Sequence, residues 1–455
     1  MWISSAGLVS RLFGPRELSP YASASYCGEK MKILFITQYF PPETEPGGIR
    51  ISEIAQRLRA RGHEPTILTG LPNYPTGKVH PDYRRRAWRG TLTEVINGLP
   101  VVRVSLYPSH SKRSALRLAN YFSFATAASM RALVTRGFDI VVATSPPLTT
   151  GIPARVAATL NHIPLILELR DLWPEGAVEL GYLKNPQMRA AAYYLERSLY
   201  RRASRIVCLS RGIRDDIVAR GVPAPKCVVL TNGTDTDLFT PEARDTAIEQ
   251  LRTSYSTIGI YVGSLSAYHG LDQAIDLLEQ LQRFPHVKIV FAGDGSAERA
   301  FRTAIGARQL NNAVFLGNVP MKRMPGLIAS SDFGLVFVKQ SPFSRWLLAS
   351  KIFMYMGCGR PIVAVATGET RRVIEDAGAG VVAAQDSEGI RQLADHIGGL
   401  RSGGFDSLYG RSGRDYALRC CSWDRIAADY EGMLAEATQE AAQYRSPARA
   451  KMAPD

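Results

Sequence analysis

The chain has 455 residues, of which 45% are hydrophobic and 21% charged. That is too long for one core, because single cores stop growing at about 250–300 residues, and too apolar for a disordered polypeptide. A net charge of +14 favours an anionic partner; no nucleic-acid-binding module is legible, which leaves an acidic membrane surface and phosphorylated small molecules.

Residues 1–30 lack strand or helix rhythm, and their apolar part is too short and interrupted for a signal sequence. A disordered extension is expected there, with domain-like sequence beginning at Met31. A strand is expected over 32–37, then the loop QYFPPETEPGG, then a helix over 49–61. Ile51, Ile54, Ala55 and Leu58 recur there at helical spacing. A second strand over 64–69 completes a βαβ opening. Gly47 and Gly48 fall where the loop meets the helix. Bare backbone can approach a phosphate there, and a plain turn is the competing reading. Residues 70–90 form a long loop with Tyr74, Tyr83, Trp88 and the basic run Arg84, Arg85, Arg86 and Arg89. Such a run is a solvated face or a contact for anionic lipid headgroups. Strands follow around 91–94 and 101–105. A helix over 114–135 carries Leu116, Leu118, Tyr121, Phe122, Phe124 and Met130, with Lys112, Arg113, Arg117 and Arg131 on or beside it. It can lie on a membrane surface or face a core with a charged back; both stay open.

The rhythm then becomes regular. Strands at 139–144, 164–169, 205–209 and 227–230 alternate with helices at 151–160, 186–204 and 211–220. This alternation implies a parallel, doubly wound sheet with ligands at the strand C-terminal ends. Two such ends stand out, ELRDLWPEG after Leu169 and TNGTD after Leu230. Asp171 either orients a substrate or caps the loop. The polar stretch 241–257 reads as a linker, after which strands at 258–262, 287–292, 314–316, 333–338, 361–367 and 380–383 alternate with helices again. A last helix over 423–438, within a segment 421–438, is expected to pack back on the first domain, with 439–455 frayed. The fold class is therefore α/β: two tandem Rossmann-like, doubly wound domains, 31–240 and 258–420, facing across a cleft. The cleft is the default ligand site.

The stretch SPFSRWLLASKIFMYMGCGRPIVAVATGE, 341–369, organises the second domain. Ser350 is the expected N-cap of a short helix, which Gly357, Gly359 and Pro361 end. A helix start at a parallel sheet edge is a phosphate site. GDGSAE at Gly293 lacks the third glycine and the downstream acid of a dinucleotide fingerprint. The six cysteines, Cys27, Cys208, Cys227, Cys358, Cys420 and Cys421, have no metal-type spacing and read as free thiols of a reducing compartment. No metal site is expected.

Taken in order, RDLWPEG, NGTD, GSLSAYHG, GDG, NVP and SKIFMYMGCGRPIVA resemble glycosyltransferase family 4, the GT-B group of retaining sugar transferases, over nearly all of 31–434. The bacterial surface-polysaccharide branch (colanic acid, O-antigen or capsule type) is the most similar. The resemblance implies an acceptor-side domain at 31–240 and a nucleotide-sugar-binding domain at 258–420. Gly47 and Gly48 would meet the donor diphosphate and the acceptor. Asp171 would be catalytic, with Arg170 where many members have His. Gly263, His269, Asn318, Val319, Arg345, Ser350 and Lys351 would bind the donor. Leu265 and His269 stand where the family usually has Arg and Lys, and Trp346 and Met354 where it usually has a pair of Glu. Arg345 and Lys351 would then supply the positive charge a diphosphate needs, with Arg50 and Arg170 as candidates across the cleft and His269 joining when protonated. The implied activity is metal-independent transfer of a hexosyl or N-acetylhexosaminyl group, with no cofactor beyond the nucleotide sugar. The implied acceptor is a polyprenyl-linked glycan at the inner face of the cytoplasmic membrane, with no nucleic-acid partner. A GT-B-like sugar-nucleotide epimerase and a degenerate, non-catalytic partner subunit are the alternatives.

Overall fold

The computed structural model describes residues 29–85, 90–109, 114–179, 181–266, 269–400 and 407–445. The N-terminal extension up to residue 28, Arg86, Trp88, Arg89, Lys112 and Arg113 lie outside the described residues.

The first lobe is built on eight strands: β1 Lys32–Ile36, β2 Glu64–Gly70, β3 Thr91–Ile96, β4 Leu99–Val104, β5 Ile140–Ser145, β6 Leu165–Leu169, β7 Arg205–Cys208 and β8 Cys227–Val229. Their spatial order is β3-β4-β2-β1-β5-β6-β7-β8. Every pairing is parallel except β3 with β4. That hairpin turns on Asn97-Gly98, both at positive φ (50° and 77°), as an Asn-Gly two-residue turn requires. The second lobe has six parallel strands: β9 Thr257–Val262, β10 Val287–Ala292, β11 Ala313–Gly317, β12 Phe333–Phe337, β13 Ile362–Val365 and β14 Gly380–Ala383. Their order is β11-β10-β9-β12-β13-β14. Central strands such as β5, β6, β9 and β12 are buried along their whole length, which is why they read as unbroken apolar runs rather than alternating ones. Strand order reverses between β1 and β5 and again between β9 and β12, and ligands of such sheets bind at that reversal.

Helix α1 (Pro46–Ala60) covers one face of the first sheet, and α2 (Ser114–Val134) with α3 (Gly151–Asn161) covers the other. Phe124, Ala128 and Ala132 of α2 pack into the core with Ala154, Ala157 and Ala158 of α3. The outer side of α2 is not the expected charged back. Phe122, Met130, Leu133 and Val134 are exposed there, at 52%, 65%, 52% and 67%. Phe122, Met130 and Leu133 border, with Ile152 and Val156, an apolar groove of about 290 Å³.

Two further expectations change. The stretch 241–257 is not an open linker: it holds α5 (Thr246–Arg252), preceded in the chain by α4 (Arg211–Ala219) of the first lobe. Asp245 caps α5 by accepting from the Ala247 N–H at 2.9 Å and pairs with Arg323 at 2.7 Å, and Ile248 is buried in the second core. The last helix does not fray after residue 438 but runs from Trp423 to Arg445, with Glu440 paired to Arg205. It lies on the first lobe. Trp423, Ile426, Tyr430, Met433 and Leu434 share a core with Ile33, Phe35, Ile51 and Ile54. Glu431 pairs with Arg61 at 2.6 Å and with His63 at 2.8 Å.

The lobes also meet where α4 faces residues 343–346. Trp346 is buried among first-lobe side chains, including Leu209 and Ile213. Ser210 Oγ donates to the Trp346 carbonyl at 2.9 Å, and the Arg211 N–H donates to Glu369 Oε1 at 3.0 Å. A side chain at Gly212 would collide with the Arg345 carbonyl, so the contact needs a glycine there.

Candidate active site

On the second lobe, the chain leaves β9 at Gly263, where φ is 107°. The next glycine turn packs directly on this bend, because a Cβ at Gly293 would collide with the Gly263 carbonyl. The Leu265 N–H donates to Asp294 O at 2.8 Å and the Gly293 N–H to Gly317 O at 2.7 Å, lacing the loops after β9, β10 and β11 together. Asn318 and Val319 follow β11. Asn318 is exposed and Val319 is buried in the core.

Lys351 opens α6 (Lys351–Gly357), the helix after β12. Only 8% of it is exposed. Its Nζ lies 3.5 Å from the centre of the Tyr261 ring and makes no hydrogen bond to a described residue. Burial pushes its pKa well below the usual lysine range. Where a Cβ would stand on Gly263, the Lys351 ammonium is 3.6 Å away. Ser350 holds the expected N-cap position but does not cap the helix with its side chain. It already has helical φ and ψ (−58° and −24°), and its hydroxyl caps nothing, while its carbonyl accepts from the Phe353 N–H at 3.2 Å. A β-region conformation is what a capping side chain needs, and the preceding turn denies it. Met354 is the one residue of α6 that is not buried.

His269 bonds Ser266 Oγ through Nδ1 at 2.7 Å. Burial, and then the neighbouring Lys351, push its pKa down to about 4. It is therefore neutral near pH 7 in the free protein, so the condition on which it would join the phosphate-binding charge is not met there. Leu265 cannot be replaced in spirit by a loop cation either: its side chain is fully buried with Tyr261, Leu271 and Phe291. Arg345 is engaged elsewhere than expected. Its guanidinium lies over the Trp346 ring at 4.2 Å and reaches Asp216 of α4 at 3.4 Å. Phe343 and Trp346 anchor this segment to the first lobe, and that takes Arg345 to the lobe contact.

On the first lobe, Gly47 and Gly48 form the first turn of α1. Glu45 caps that turn, accepting from the Gly48 N–H at 2.9 Å. Arg170, at the end of β6, gives Nη1 to Glu45 at 2.8 Å, Nε to Thr144 Oγ1 at 3.1 Å and Nη2 to Pro146 O at 2.6 Å. It is a tie between three loops, not the free cation of the sequence reading. Any side chain at Gly47 would run into this guanidinium, and one at Gly48 into the Tyr39 carbonyl. Arg50 does not face the cleft. It is 1% exposed and bonds Glu168 at 3.0 Å and Leu230 O at 2.9 Å. Asp171 accepts no hydrogen bond from a described residue. Burial raises its carboxyl to about 6, with Arg170 opposing and Glu45 adding to the rise.

Two acids were missed in the sequence, Glu43 and Glu45. Glu43 is 5% exposed and accepts from the N–H groups of Phe40, Asn73 and Tyr74 at 3.2, 2.8 and 2.8 Å. Burial raises it to about 7 against those hydrogen bonds. The run ETEPGG was the available signal: an acid immediately before a helix-opening Pro-Gly-Gly, here Glu45, is a cap candidate. Tyr39 and Tyr74 stand with ring centres 5.8 Å apart beside these acids. Burial raises the Tyr74 hydroxyl, and the charges of Glu45 and then of Asp294 on the second lobe add to the rise. Among the described residues no group of three His, Cys, Asp or Glu side chains is placed to hold a metal.

Residues 47–233 match the family described as glycosyl transferase 4-like domain, and residues 256–402 the family described as glycosyl transferases group 1. The chain belongs to the glycosyltransferases of the GT-B type. The transferase is 24% identical over 414 residues, 88% of its length, to 98% of an Escherichia coli K12 protein whose name provisionally makes it a colanic acid biosynthesis glycosyl transferase. It is 25% identical over 349 residues, 76% of this chain, to 82% of a GDP-mannose-dependent alpha-mannosyltransferase of Mycobacterium tuberculosis. HepE of Anabaena, crystallised with UDP and glucose, superposes with a TM-score of 0.64 at 20% identity, over 89% of this chain and 99% of that one. WaaG, a glycosyltransferase involved in lipopolysaccharide biosynthesis, superposes at 0.59 and 17% identity over 88% and 99%. These two share the fold.

Proposed function

We propose that this transferase moves a sugar from a nucleoside diphosphate to a polyprenyl-linked glycan during surface-polysaccharide assembly. The observation that carries this reading is Lys351: a buried ammonium with no hydrogen-bond partner among the described residues, set against the glycine bend at 263 where two loops meet. Unsatisfied buried donors are rare and call for a partner, and a diphosphate supplies the missing acceptor and the counter-charge. As the bond from the sugar C1 to the leaving phosphate oxygen breaks, negative charge grows on that oxygen, and a donor fixed beside it lowers the barrier. The acceptor oxygen forms the new bond on the same face, and its proton passes to the departing phosphate. Asp171 orients the acceptor, and no metal is required. The UDP and glucose bound to HepE support the donor class, and the named roles of WaaG and the Escherichia coli relative support the polysaccharide setting. The exposed apolar row on α2 supports a peripheral seat on the membrane. No helix among the described residues is long and apolar enough to cross a membrane.

The test incubates the purified chain with a panel of nucleotide sugars, with and without bacterial lipid extract. Lipid-dependent release of a nucleoside diphosphate is expected. Interconversion of the free nucleotide sugar without release, or no binding of any nucleotide sugar, overturns the proposal.

A further inference from the structure

Tyr261 holds the centre of its ring 3.5 Å from the Lys351 ammonium. Its own position is fixed on several sides. It is fully buried. Its hydroxyl donates to the Ser264 carbonyl at 2.8 Å, one residue beyond the glycine bend. Its ring packs on Phe337 at 6.2 Å, nearly parallel, and on Phe291 at 5.8 Å. The aromatic row continues through Phe291 to Phe315, 5.1 Å on and also stacked. A ring held this firmly cannot turn its edge to the lysine, so the ammonium keeps the electron-rich face that attracts a cation.

Resting on the proposed donor site, we infer that Tyr261 is a positioning residue for diphosphate binding. Its ring face holds the Lys351 ammonium beneath the bare backbone of Gly263, ready for an anion that enters over that bend, while its hydroxyl pins the loop. This arrangement replaces the loop cations that Leu265 and His269 do not supply. The ammonium needs no search of lysine rotamers when the ligand arrives, because its freedom is already spent.

Calorimetry with UDP, GDP, ADP and dTDP on the full chain tests the assignment, using whichever binds the wild type most tightly. Tyr261→Leu is expected to weaken that nucleotide by roughly 3- to 30-fold, the range of a desolvated cation–ring contact. Tyr261→Phe keeps the ring and is expected to bind within about 3-fold of wild type. In a Lys351→Met background, Tyr261→Leu should cause no further loss, because a coupled pair is not additive. Should Tyr261→Leu fail to fold, progressively fluorinated phenylalanines at 261 keep the shape and drain the ring face; affinity should then fall stepwise. A flat fluorination series, or additive losses in the double variant, overturns the positioning role and leaves the donor site standing. If no nucleoside diphosphate binds the wild type, the donor site itself falls, and this inference with it.

Discussion

Replacing Gly47 with Ala adds one methyl group, and the structure says it lands on the Arg170 guanidinium. Glycine-to-alanine changes in helices normally stabilise, by up to about 1 kcal/mol. Gly306, inside the helix Glu298–Ala307, is such a case: a Cβ there meets nothing within 4 Å. At Gly47 the same methyl must displace a group that gives hydrogen bonds to Glu45, Thr144 and Pro146. Only 11% of the Arg170 side chain and 15% of the Glu45 side chain are exposed. Losing one hydrogen bond to a charged partner costs about 1.5–3 kcal/mol. Subtracting a full propensity gain leaves a net loss of about 0.5–2 kcal/mol. Gly306→Ala should therefore raise the urea midpoint and Gly47→Ala lower it. Gly47→Ala should also impair turnover, because the tie between the α1 turn and the β6 loop slackens beside Asp171. Arg170→Lys should reproduce part of that loss, since a lysine cannot reach three acceptors in the fork geometry. A Gly47→Ala protein as stable as Gly306→Ala, with unchanged kinetics, would refute this account of the glycine.

Lys351→Met is expected to raise thermal stability, by about 1–3 kcal/mol, because it removes an unpaired buried charge and keeps the volume, while nucleoside-diphosphate affinity drops; a protein less stable than wild type contradicts the orphaned ammonium. Burial raises Asp171 to about 6 in the folded state against an ordinary aspartate near 3.8, so the folded protein holds its proton longer than the unfolded one and loses stability as pH rises through that window. Asp171→Asn should remove this slope between about pH 4 and 6 and, if the ionised carboxylate orients the acceptor, abolish an acid limb near pH 6 in kcat/KM. His269 is shifted the other way, down to about 4, so its contribution to stability is present above about pH 6.5 and lost on acidification toward pH 4; His269→Gln should flatten that part of the stability profile. Met130→Glu with Leu133→Glu, both on the exposed row of α2, should abolish cosedimentation with phosphatidylglycerol vesicles without lowering the melting temperature. Retained vesicle binding would remove α2 from the membrane face.

The two sheets were legible because their strands are buried on both faces. LILEL and TIGIYV need no partner to declare themselves. What the sequence hid are residues whose meaning lies in another part of the chain. Arg50 sits on an amphipathic helix and looks like a cleft cation. Its acceptors, Glu168, Leu230 and Thr231, are more than a hundred residues away and draw it into the core. Arg345 stands six residues before Lys351 in the chain, yet Trp346 next to it is a first-lobe core residue, and a buried indole decides where its neighbour goes. Local patterning reports which face of an element is apolar and says nothing of which lobe that face belongs to. The same limit explains the Ser350 cap: Ser before an apolar run is the usual signal, but Ser350 itself has helical φ and ψ and its hydroxyl makes no capping hydrogen bond.

The departures from the family pattern also acquire a physical coherence that the motifs alone lacked. A buried Leu265 and a neutral His269 leave the loop after β9 without charge, which would weaken a diphosphate site if the loop were its only wall. Lys351 comes from a different element, the helix after β12, on the other side of the strand-order reversal. Charge lost from one side of that crevice is thus present on the other, close to the same bare bend. This is a compensation in position rather than in sequence, and it makes the degenerate-subunit alternative answerable by one number. A subunit that had abandoned its donor would have no reason to keep a buried lysine that lacks a hydrogen-bond partner, because a methionine of similar volume would hold the fold better. The stability gain expected for Lys351→Met is therefore the cost of function carried by the resting protein, and its absence would favour the subunit over the enzyme.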